Sequence, residues 1–512
     1  MSATHTPQQA PLTGASLWFA AILLAAANFM AVLDMTIANV SVANIAGSLG
    51  ISSAQGTWVI TSYAVAEAIV VPLTGWLAGR FGAVRVFATA MTLFGAASLV
   101  CGLSSSLGML VFGRVLQGLC GGPLMPLSQT LLLRIFPKEK AAAATALWAM
   151  TTLVAPVAGP ILGGWICDHY SWPVIFYINL PLAAVGGYVA WRTLRRYEDR
   201  LQRLPIDVVG LVLLVVFVGA LQLMLDLGKE HDWFESRLIC LLAVTAVIGL
   251  AAFLIWELTE RHPVVDLRVF RHRGFAAAVL TVSLVFGAFF SANVLTPLWL
   301  QSYMGYTATW AGMTTAWTGV LAVFCAPIAG VLMTKLDPRR LIFCGVMWLA
   351  CVTTIRVGYT TEASYWQIAL PLLLMGLGMP FFFVPLTALA LGSVEEHETA
   401  SAAGLLNFLR TLSGAFGTSI VQTAWESGTT AQRAELVGVV DRSGETLDTL
   451  LGYGLGTDAA RVGIERAVEA QSVMLATNHL MGWIALAFAA AAFFVWLAPK
   501  PARSISPAQA GH

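Results

Sequence analysis

The stretch Leu33-Asp34-Met35-Thr36-Ile37-Ala38-Asn39-Val40 decides how this chain is interpreted. It lies in an otherwise apolar run from Leu17 to Val42, which is long enough to cross a bilayer as a helix. Asp34 is the ionisable residue of that run. Placing a charge at membrane depth costs roughly 2.5–3.5 kcal/mol on insertion scales, and such residues pair with a cation, face a cavity or carry protons. The sequence therefore predicts a transport protein with Asp34 at its centre.

Composition places the chain among polytopic membrane proteins. Of its 512 residues, 58% are hydrophobic and 11% are charged, and the mean hydropathy is +0.78, whereas about 25% of residues are charged in soluble domains. The net charge of +1 gives no general attraction to nucleic acid. Residues 1–13 carry no Lys or Arg, so we expect an uncleaved signal anchor in place of a cleaved secretory signal.

Motifs for enzyme, metal and nucleotide chemistry are missing from the sequence. The seven Cys form no CxxC, the eight His form no HExxH, and no GxxxxGK[ST] loop occurs. We therefore expect no catalytic activity, no metal and no cofactor, with a proton gradient in place of ATP as the energy source.

Fourteen apolar runs predict fourteen transmembrane helices and an all-α fold, because lipid cannot satisfy free backbone groups. We call these runs spans 1 to 14. They cover residues 16–40, 56–77, 85–104, 107–130, 142–165, 172–193, 206–226, 236–257, 274–296, 310–332, 340–358, 366–391, 400–424 and 478–498.

A weak internal repeat relates spans 1–6 to spans 9–14. Gly75-Trp76-Leu77 is echoed by Gly330-Val331-Leu332, and Pro126-Leu127-Ser128 is echoed by Pro385-Leu386-Thr387. Spans 7 and 8 are then an insert between two six-helix halves, and parallel repeats of this kind place a substrate site near the midplane between the halves. The predicted domains are a terminal segment 1–15, a bundle 16–193, two inserted helices 206–257, a second bundle 274–498 and a terminal segment 499–512.

The loop charges predict the orientation in the membrane. Most of the 28 Lys and Arg lie on the side of the two termini, whereas the short loops opposite carry only Lys229, Arg237 and Arg356. The positive-inside rule places both termini in the cytoplasm. Residues 425–477 then form an acidic insert on the outer side, in which Asp458 to Leu475 predict one amphipathic helix. Two roles for this insert are compatible with the sequence: a hairpin that docks a partner, and a lid over the outer mouth of the transporter.

The first-span stretch and the sequence Gly113-Arg114-Val115-Leu116-Gln117-Gly118 in span 4 resemble motifs of the major facilitator superfamily, specifically its fourteen-span drug:proton antiporters. Ala43 stands where that family usually has Pro. The resemblance covers nearly the whole chain. It implies the major facilitator fold and export of hydrophobic compounds across the inner membrane in exchange for protons. It also implies a periplasmic adaptor of the membrane-fusion type and a TolC-like outer-membrane channel as partners.

Proton coupling is assigned to Asp34, Glu67 and Arg114. A low dielectric favours the neutral form of a carboxylate, and an Arg that stays charged can hold Asp34 ionised when paired. Gln117 shares a helical stripe with Arg114. The alternatives are a purely architectural ion pair and, for Glu67, a place nearer the membrane surface. The equivalent position in the second half is apolar around Leu372, which favours proton handling in the first half.

Further polar and aromatic residues are candidates for the cavity. Asn39, Asn407 and Arg410 are assigned a supporting polar role there, with a structural ion pair as the alternative for Arg410. The aromatic runs Phe286, Phe289, Phe290 and 381–383 could line a drug pocket, but we expect most of these rings to face lipid.

Two motifs are expected to govern conformational change. The stretch Ala155-Pro156-Val157-Ala158-Gly159-Pro160-Ile161-Leu162-Gly163-Gly164 resembles the antiporter motif of span 5, with small residues every four positions that allow close helix approach. In the family it marks exporters; ordinary small-residue packing is the alternative. Gly75, Arg80, Gly82 and Arg85 match the loop between spans 2 and 3. Gly79 replaces its usual Asp, so the gate latch is expected to be made otherwise, with Arg80 and Arg85 on helix C-termini.

Two other functions stay open from the sequence. One is a proton-coupled solute importer that uses the same carboxylates for symport. The other is a membrane sensor that does not transport.

Overall fold

In a computed structural model, the chain is described over residues 14–499, except 52, 138–139, 199–204, 206, 229–230, 444–446, 448–450 and 452–455. The described residues form helices and turns, with no β-strand among them. The all-α prediction is therefore confirmed. Nearly all of the two predicted terminal segments lies outside the described residues.

Each predicted span corresponds to one helix or to two consecutive helices. The first six spans are Gly14–Leu49, Ser53–Val70 with Thr74–Phe81, Ala83–Gly102, Leu107–Gly121 with Leu124–Ile135, Ala141–His169, and Val174–Tyr177 with Asn179–Leu194. The two inserted spans are Val208–Leu227 and Arg237–Thr259. The last six spans are Arg273–Ser302, Ala308–Lys335, Pro338–Ile355, Tyr365–Gly392, Thr399–Ser443 and Thr457–Phe494.

Spans 2 and 4 are interrupted where the sequence contains Pro. Pro72 lies in a short 3-10 turn, Val71–Leu73, and Pro123 immediately precedes the second helix of span 4. Proline lacks the backbone N–H that would continue the α-helical ladder. The interruption of span 2 lies between Glu67 and the loop motif that begins at Gly75.

Thirteen of the described helices are long and apolar enough to cross a membrane. The remaining predicted span, span 13, is helical over its whole predicted length, but Asn407 and Arg410 lower its hydropathy. Polar residues inside a spanning helix are tolerated where they face protein or a cavity. The two side chains in span 13 are therefore expected to face protein or a cavity and not lipid.

The predicted insert 425–477 is built from extensions of two spans. The helix of span 13 continues to Ser443, and the helix of span 14 begins at Thr457, so the predicted amphipathic helix is part of a longer one. We call residues 425–443 together with 457–477 the hairpin. Its two helical segments are joined by a hydrogen bond from Trp425 Nε1 to Thr477 Oγ1 (2.9 Å) and by an ion pair between Arg433 and Glu465 (3.0 Å).

The last six spans repeat the packing of the first six. Span 1 packs on span 5, span 2 on span 4 and span 3 on span 6; likewise 9 packs on 13, 10 on 12 and 11 on 14. The two sets meet along spans 5 and 10 and along spans 2 and 13, while span 7 packs on span 2 and span 8 on span 7. We call the end of the bundle nearest Gly14 the terminal face and the opposite end the hairpin face.

Candidate functional site

Asp34 and Arg114 form an ion pair in the interior of the first six spans. The Arg114 Nη1 atom lies 2.6 Å from the Asp34 Oδ2 atom, and both side chains are fully buried. Span 1 supplies the carboxylate and the first helix of span 4 supplies the guanidinium. A carboxylate and a guanidinium at this distance form a charge-assisted hydrogen bond, which is roughly twice as strong as one between neutral groups.

The other carboxylate oxygen of Asp34 accepts two amide hydrogen bonds. Asn179 Nδ2 donates from 2.6 Å and Gln117 Nε2 donates from 3.2 Å. Gln117 also donates to Ser98 Oγ at 2.7 Å and accepts from Arg114 Nη1 at 2.9 Å. Donors from spans 4 and 6 therefore meet at the Asp34 carboxylate of span 1, and Ser98 of span 3 accepts from Gln117 beside them.

The guanidinium of Arg114 is held on its other sides by span 2. Its Nε atom donates to the backbone oxygen of Val59 at 2.9 Å, and its central carbon lies 4.3 Å from the centroid of the Tyr63 ring. Its Nη2 atom is buried without a hydrogen-bond partner. A buried ion pair is stable only while both charges remain, because an uncompensated buried charge is strongly destabilising. Protonation of Asp34 would thus release Arg114 from its strongest partner.

Glu67 lies on span 2, one helical turn after Tyr63, whose ring packs on Arg114. Its side chain is buried, and it forms no ion pair with any residue that the structure describes. The glycine at position 118 permits close approach of span 4, since a Cβ there would lie 2.5 Å from the Tyr63 backbone oxygen and 3.0 Å from the Glu67 nitrogen. Span 13 packs beside this part of span 2, since a Cβ at Gly404 would lie 2.9 Å from the backbone oxygen of Val71, one helical turn after Glu67.

Arg410 and Asn407 lie where the two six-span sets meet. Both are buried, and Arg410 Nη2 contacts Met125 Sδ at 2.6 Å while Asn407 Nδ2 donates to Gln129 Oε1 at 3.3 Å. Met125 and Gln129 belong to span 4, so both contacts cross from the last six spans to the first six. In contrast, the Asn39 side chain is exposed and is not part of the Asp34 cluster.

The expectation that most of the phenylalanines face lipid is wrong. Phe286, Phe289, Phe382 and Phe383 are buried, and Phe286 lies within 6.2 Å of the ring centroids of the other three. The rings from span 9 and span 12 face one another across the second six-span set, and this packing hides them from lipid.

The span 1 stretch and the span 5 stretch lie directly against each other. A Cβ at position 159 would lie 2.1 Å from the Thr36 Oγ1 atom, and one at position 163 would lie 3.0 Å from the Ile37 oxygen. Thr36 Oγ1 also donates to the Ala155 backbone oxygen at 3.5 Å. The row of small residues at 155, 159 and 163 therefore serves to seat span 1, which carries Asp34.

A neighbouring face of span 5 contacts span 10 of the other set. A Cβ at Gly312 would lie 3.6 Å from the Pro160 side chain, and one at Gly164 would lie 3.6 Å from the Thr309 hydroxyl. Span 5 thus connects the helix that carries the buried carboxylate with the other half of the molecule.

The loop motif between spans 2 and 3 makes two close approaches at the terminal face. A Cβ at Gly75 would lie 2.7 Å from the Ser401 Cα atom of span 13. Gly82 has a φ of +94°, which favours glycine, and a Cβ there would lie 2.4 Å from the Glu198 Oε1 atom. Both glycines are required by space, and one of them also by backbone conformation.

The expected placement of Arg85 on a helix C-terminus is wrong. Arg85 lies in the first turn of span 3, where the backbone N–H groups of Val84 and Arg85 each donate to the Glu198 carboxylate at 3.0 Å. A carboxylate at a helix N-terminus is favoured by the free N–H groups and the helix dipole. Arg80 lies in the last turn of Thr74–Phe81, as expected, with its guanidinium 5.6 Å from the Trp76 ring centroid.

A charged cluster joins two loops of the last six spans at the terminal face. Glu398 is buried and accepts hydrogen bonds from Arg271 Nη2 (2.8 Å) and from the Glu395 backbone N–H (3.2 Å), and it contacts His272 Nε2 at 2.9 Å. Burial raises the pKa of Glu398, but these hydrogen bonds and the Arg271 charge outweigh it, so the pKa lies below its usual value.

Arg356 departs from its expected position in a short outer loop. It is buried, it lies in a 3-10 turn after span 11, and its Nη2 atom donates to the Thr296 hydroxyl. It therefore does not count among the exposed loop charges that predict orientation.

Sequence reasoning missed Asn179, Ser98 and Glu198. Asn179 and Ser98 are uncharged residues in otherwise apolar spans, and that polarity is a signal that could have drawn attention to them. Glu198 lies in the charged segment after span 6, where its position in the sequence does not distinguish it from its neighbours. In each case the partner is on another helix, and only the fold brings the two together.

A model of the Major Facilitator Superfamily matches residues 24–418 of the chain. The chain is 44% identical over 503 residues to the Multidrug export protein EmrB of Escherichia coli K12, covering 96% of this chain and 98% of that protein. It is 42% identical over 496 residues to EmrB of Haemophilus influenzae, covering 96% and 97%. It is also 40% identical over 499 residues to the Fatty acid resistance protein FarB of Neisseria gonorrhoeae, covering 96% and 98%.

Proposed function

This chain belongs to the major facilitator superfamily, and we propose that it is a multidrug exporter that moves hydrophobic compounds across the inner membrane in exchange for protons. It is a transporter and not an enzyme. The two relatives named EmrB are export proteins by name, and FarB confers resistance by name. The proposal extends that direction of transport to this chain.

The observation that carries the proposal is the fully buried Asp34–Arg114 pair. The ionised carboxylate gathers donors from spans 4 and 6, while span 2 contacts the guanidinium. Adding one proton to Asp34 removes the charge that these groups share. A change of that size at one residue can bias two packings of the same helices, and this is the requirement for alternating access.

Span 5 supplies the connection from the carboxylate to the other half. It seats span 1 through Gly159 and Gly163 and packs on span 10 through Pro160 and Gly164. Movement of span 1 on a change in the charge of Asp34 would therefore be transmitted to the contact between the two six-helix halves, 16–193 and 274–498. We propose that spans 206–257 are an insert that accompanies the first half.

The terminal face is proposed to be cytoplasmic. The loops at this face hold most of the basic residues, and Arg356, one of the few basic residues counted on the other side, is buried. Both termini would then be cytoplasmic, and the hairpin would project into the periplasm. Substrate-induced proton movement in vesicles tests the direction. In an antiporter, protons cross in the opposite direction and appear on the side that the substrate leaves. In a symporter, protons leave that side together with the substrate, and a sensor moves none.

Glu67 is proposed to act as a second carboxylate that faces the route of the substrate. It is buried on span 2, without an ion-pair partner among the described residues. Glu67→Gln should lose resistance to cationic compounds before neutral ones, because only the cations gain from its charge. Equal resistance to both classes would assign Glu67 to structure alone.

The hairpin is proposed to bind a periplasmic membrane-fusion adaptor of the EmrA type and, through it, a TolC-like outer-membrane channel. It is a long helical projection that carries exposed apolar residues, including Val439 and Val462. Replacing residues 430–472 with a short Gly/Ser linker should spare insertion and substrate binding but abolish resistance in whole Gram-negative cells. Adaptor co-purification should fall in parallel. A shortened protein that retains both resistance and adaptor binding would refute the docking role.

A further inference from the structure

Arg410 is a buried cation at the contact between the two six-span sets. Its guanidinium carbon lies 5.2 Å from the ring centroid of Phe286 and 5.7 Å from those of Trp148 and Phe383. No carboxylate of the described residues lies within ion-pair distance of it. Aromatic faces stabilise a desolvated guanidinium in part. They do not replace a counter-ion, since a buried charge without one is strongly unfavourable.

A second set of unused polar atoms lies on the same contact between the halves. Asn407, one helical turn before Arg410, donates to Gln129 Oε1 at 3.3 Å. The Gln129 Nε2 atom and the Asn407 Oδ1 atom are left buried with no hydrogen-bond partner. Buried amide donors are normally paired, and each unpaired one calls for an explanation. Gln129 comes from span 4 and Arg410 from span 13, so a ligand that used both donors would bridge the two halves.

The walls beside these donors are aromatic and apolar. The Trp148 ring stacks on Phe383 with centroids 5.8 Å apart, and the Phe383 ring lies 5.2 Å from Phe286. Met125, which contacts Arg410, adds a flexible apolar side chain. A guanidinium and an amide N–H beside such walls match a carboxylate attached to a large apolar group.

We propose that Arg410 and Gln129 form a subsite for the anionic head of hydrophobic acids, whose apolar part contacts the ring of Trp148 and the phenylalanines beside it. This inference rests on the proposed export function and names one chemical class of its substrates. The anion supplies a negative counter-charge for the Arg410 guanidinium. It also supplies a hydrogen-bond acceptor for the unpaired Gln129 Nε2 atom.

Glu67 makes the proposal more specific, because span 2, which carries it, packs against span 13, which carries Arg410. A Cβ at Gly404 of span 13 would lie 2.9 Å from the backbone oxygen of Val71, one helical turn after Glu67. An ionised Glu67 would repel an anion bound at Arg410 and attract a cation. Loss of the Arg410 charge and loss of the Glu67 charge should therefore change anion binding in opposite directions. A site that recognised substrates by hydrophobicity alone would show neither change.

The test measures equilibrium binding to the purified full chain in lipid nanodiscs, without a proton gradient. The probes share one fluorescent ring system and differ in charge: pyrenebutyrate, neutral pyrenebutanol and cationic pyrenemethylamine. We expect wild-type protein to bind pyrenebutyrate more tightly than pyrenebutanol. Arg410→Gln should weaken pyrenebutyrate binding about tenfold to a hundredfold and leave pyrenebutanol binding within about twofold. Glu67→Gln should strengthen pyrenebutyrate binding and weaken pyrenemethylamine binding.

Two further variants keep the test decisive if Arg410→Gln does not fold. Arg410→Lys retains the charge and should keep most of the preference for the anion, whereas Gln129→Leu should reduce it by removing the free donor. Equal affinity of wild-type protein for pyrenebutyrate and pyrenebutanol overturns the proposal, as does unchanged preference in Arg410→Gln and Gln129→Leu. Proton-coupled export can persist in that case. Loss of substrate-driven proton movement with anion binding intact would instead refute the proposed function and not this site.

Discussion

Asp34→Asn isolates the charge of the buried pair with almost no change in shape. Asp34 Oδ1 accepts from both Asn179 and Gln117, whereas Oδ2 accepts from Arg114 at 2.6 Å. An asparagine can keep its oxygen toward the two amides. Its NH2 group then points at the Arg114 guanidinium, so that two donors face each other and the arginine is left buried without an anion.

The expected magnitude follows from that geometry. Removing one partner of a buried ion pair costs about 3–5 kcal/mol, because the other charge stays buried. Nearly all of this destabilisation should come from the unpaired charge of Arg114, since the hydrogen bonds from Asn179 and Gln117 to the remaining oxygen are kept. Asp34→Asn combined with Arg114→Gln removes both charges and should therefore recover most of the lost stability. Neither protein should couple substrate movement to protons.

Two measurements check this prediction. The free energy of unfolding is obtained by SDS titration in mixed micelles, and substrate-induced proton movement is followed with a pH-sensitive dye in proteoliposomes. Asp168→Asn is the matched control, because Asp168 is exposed. Its side chain accepts a hydrogen bond from the Thr309 hydroxyl at 3.3 Å, which an asparagine oxygen can also accept. Wild-type proton coupling in Asp34→Asn would refute the proposed role. A double variant no more stable than the single one would refute the argument about the unpaired charge.

Further expectations concern the packing and the terminal face. Gly159→Ala should destabilise the protein by about 1–3 kcal/mol and reduce export, because its Cβ would clash with span 1, whereas Gly164→Ala, with 3.6 Å of space, should match wild type in both assays. Glu198→Gln should cost about 0.5–2 kcal/mol, as for loss of a helix cap, and unchanged unfolding would show that the cap is not needed. Glu398→Gln should destabilise at neutral pH. Because the folded-state pKa of Glu398 lies below its usual 4.5, the stabilisation is present above that pH and is lost as the pH falls through the lowered value, so the two proteins should converge in acid. Parallel unfolding curves at all pH values would contradict this.

The sequence by itself determined the class of the protein and the position of its spans. Apolar runs of about 20 residues have one stable backbone solution in lipid, so their number and order follow directly from composition. The Asp34 and Arg114 candidates were also visible, because a charge in an apolar run stands out against its neighbours. Short motifs of the first six spans recur in the last six, and the two sets of spans also pack in the same pairwise order.

Only the tertiary structure decided which residues share an environment. Asn179 reaches Asp34 across 145 positions of sequence, and Gln129 meets Asn407 across 278. The same holds for the phenylalanines expected to face lipid, for Arg356 in its supposed loop, and for Glu198, which accepts hydrogen bonds at the N-terminus of span 3. Hydropathy records how apolar a residue is, but not which way its helix is turned or which helix lies opposite. The rotation of each helix and the identity of its neighbour are set by packing between spans distant in sequence. That packing decides whether a buried polar group is paired, unpaired or part of a binding site.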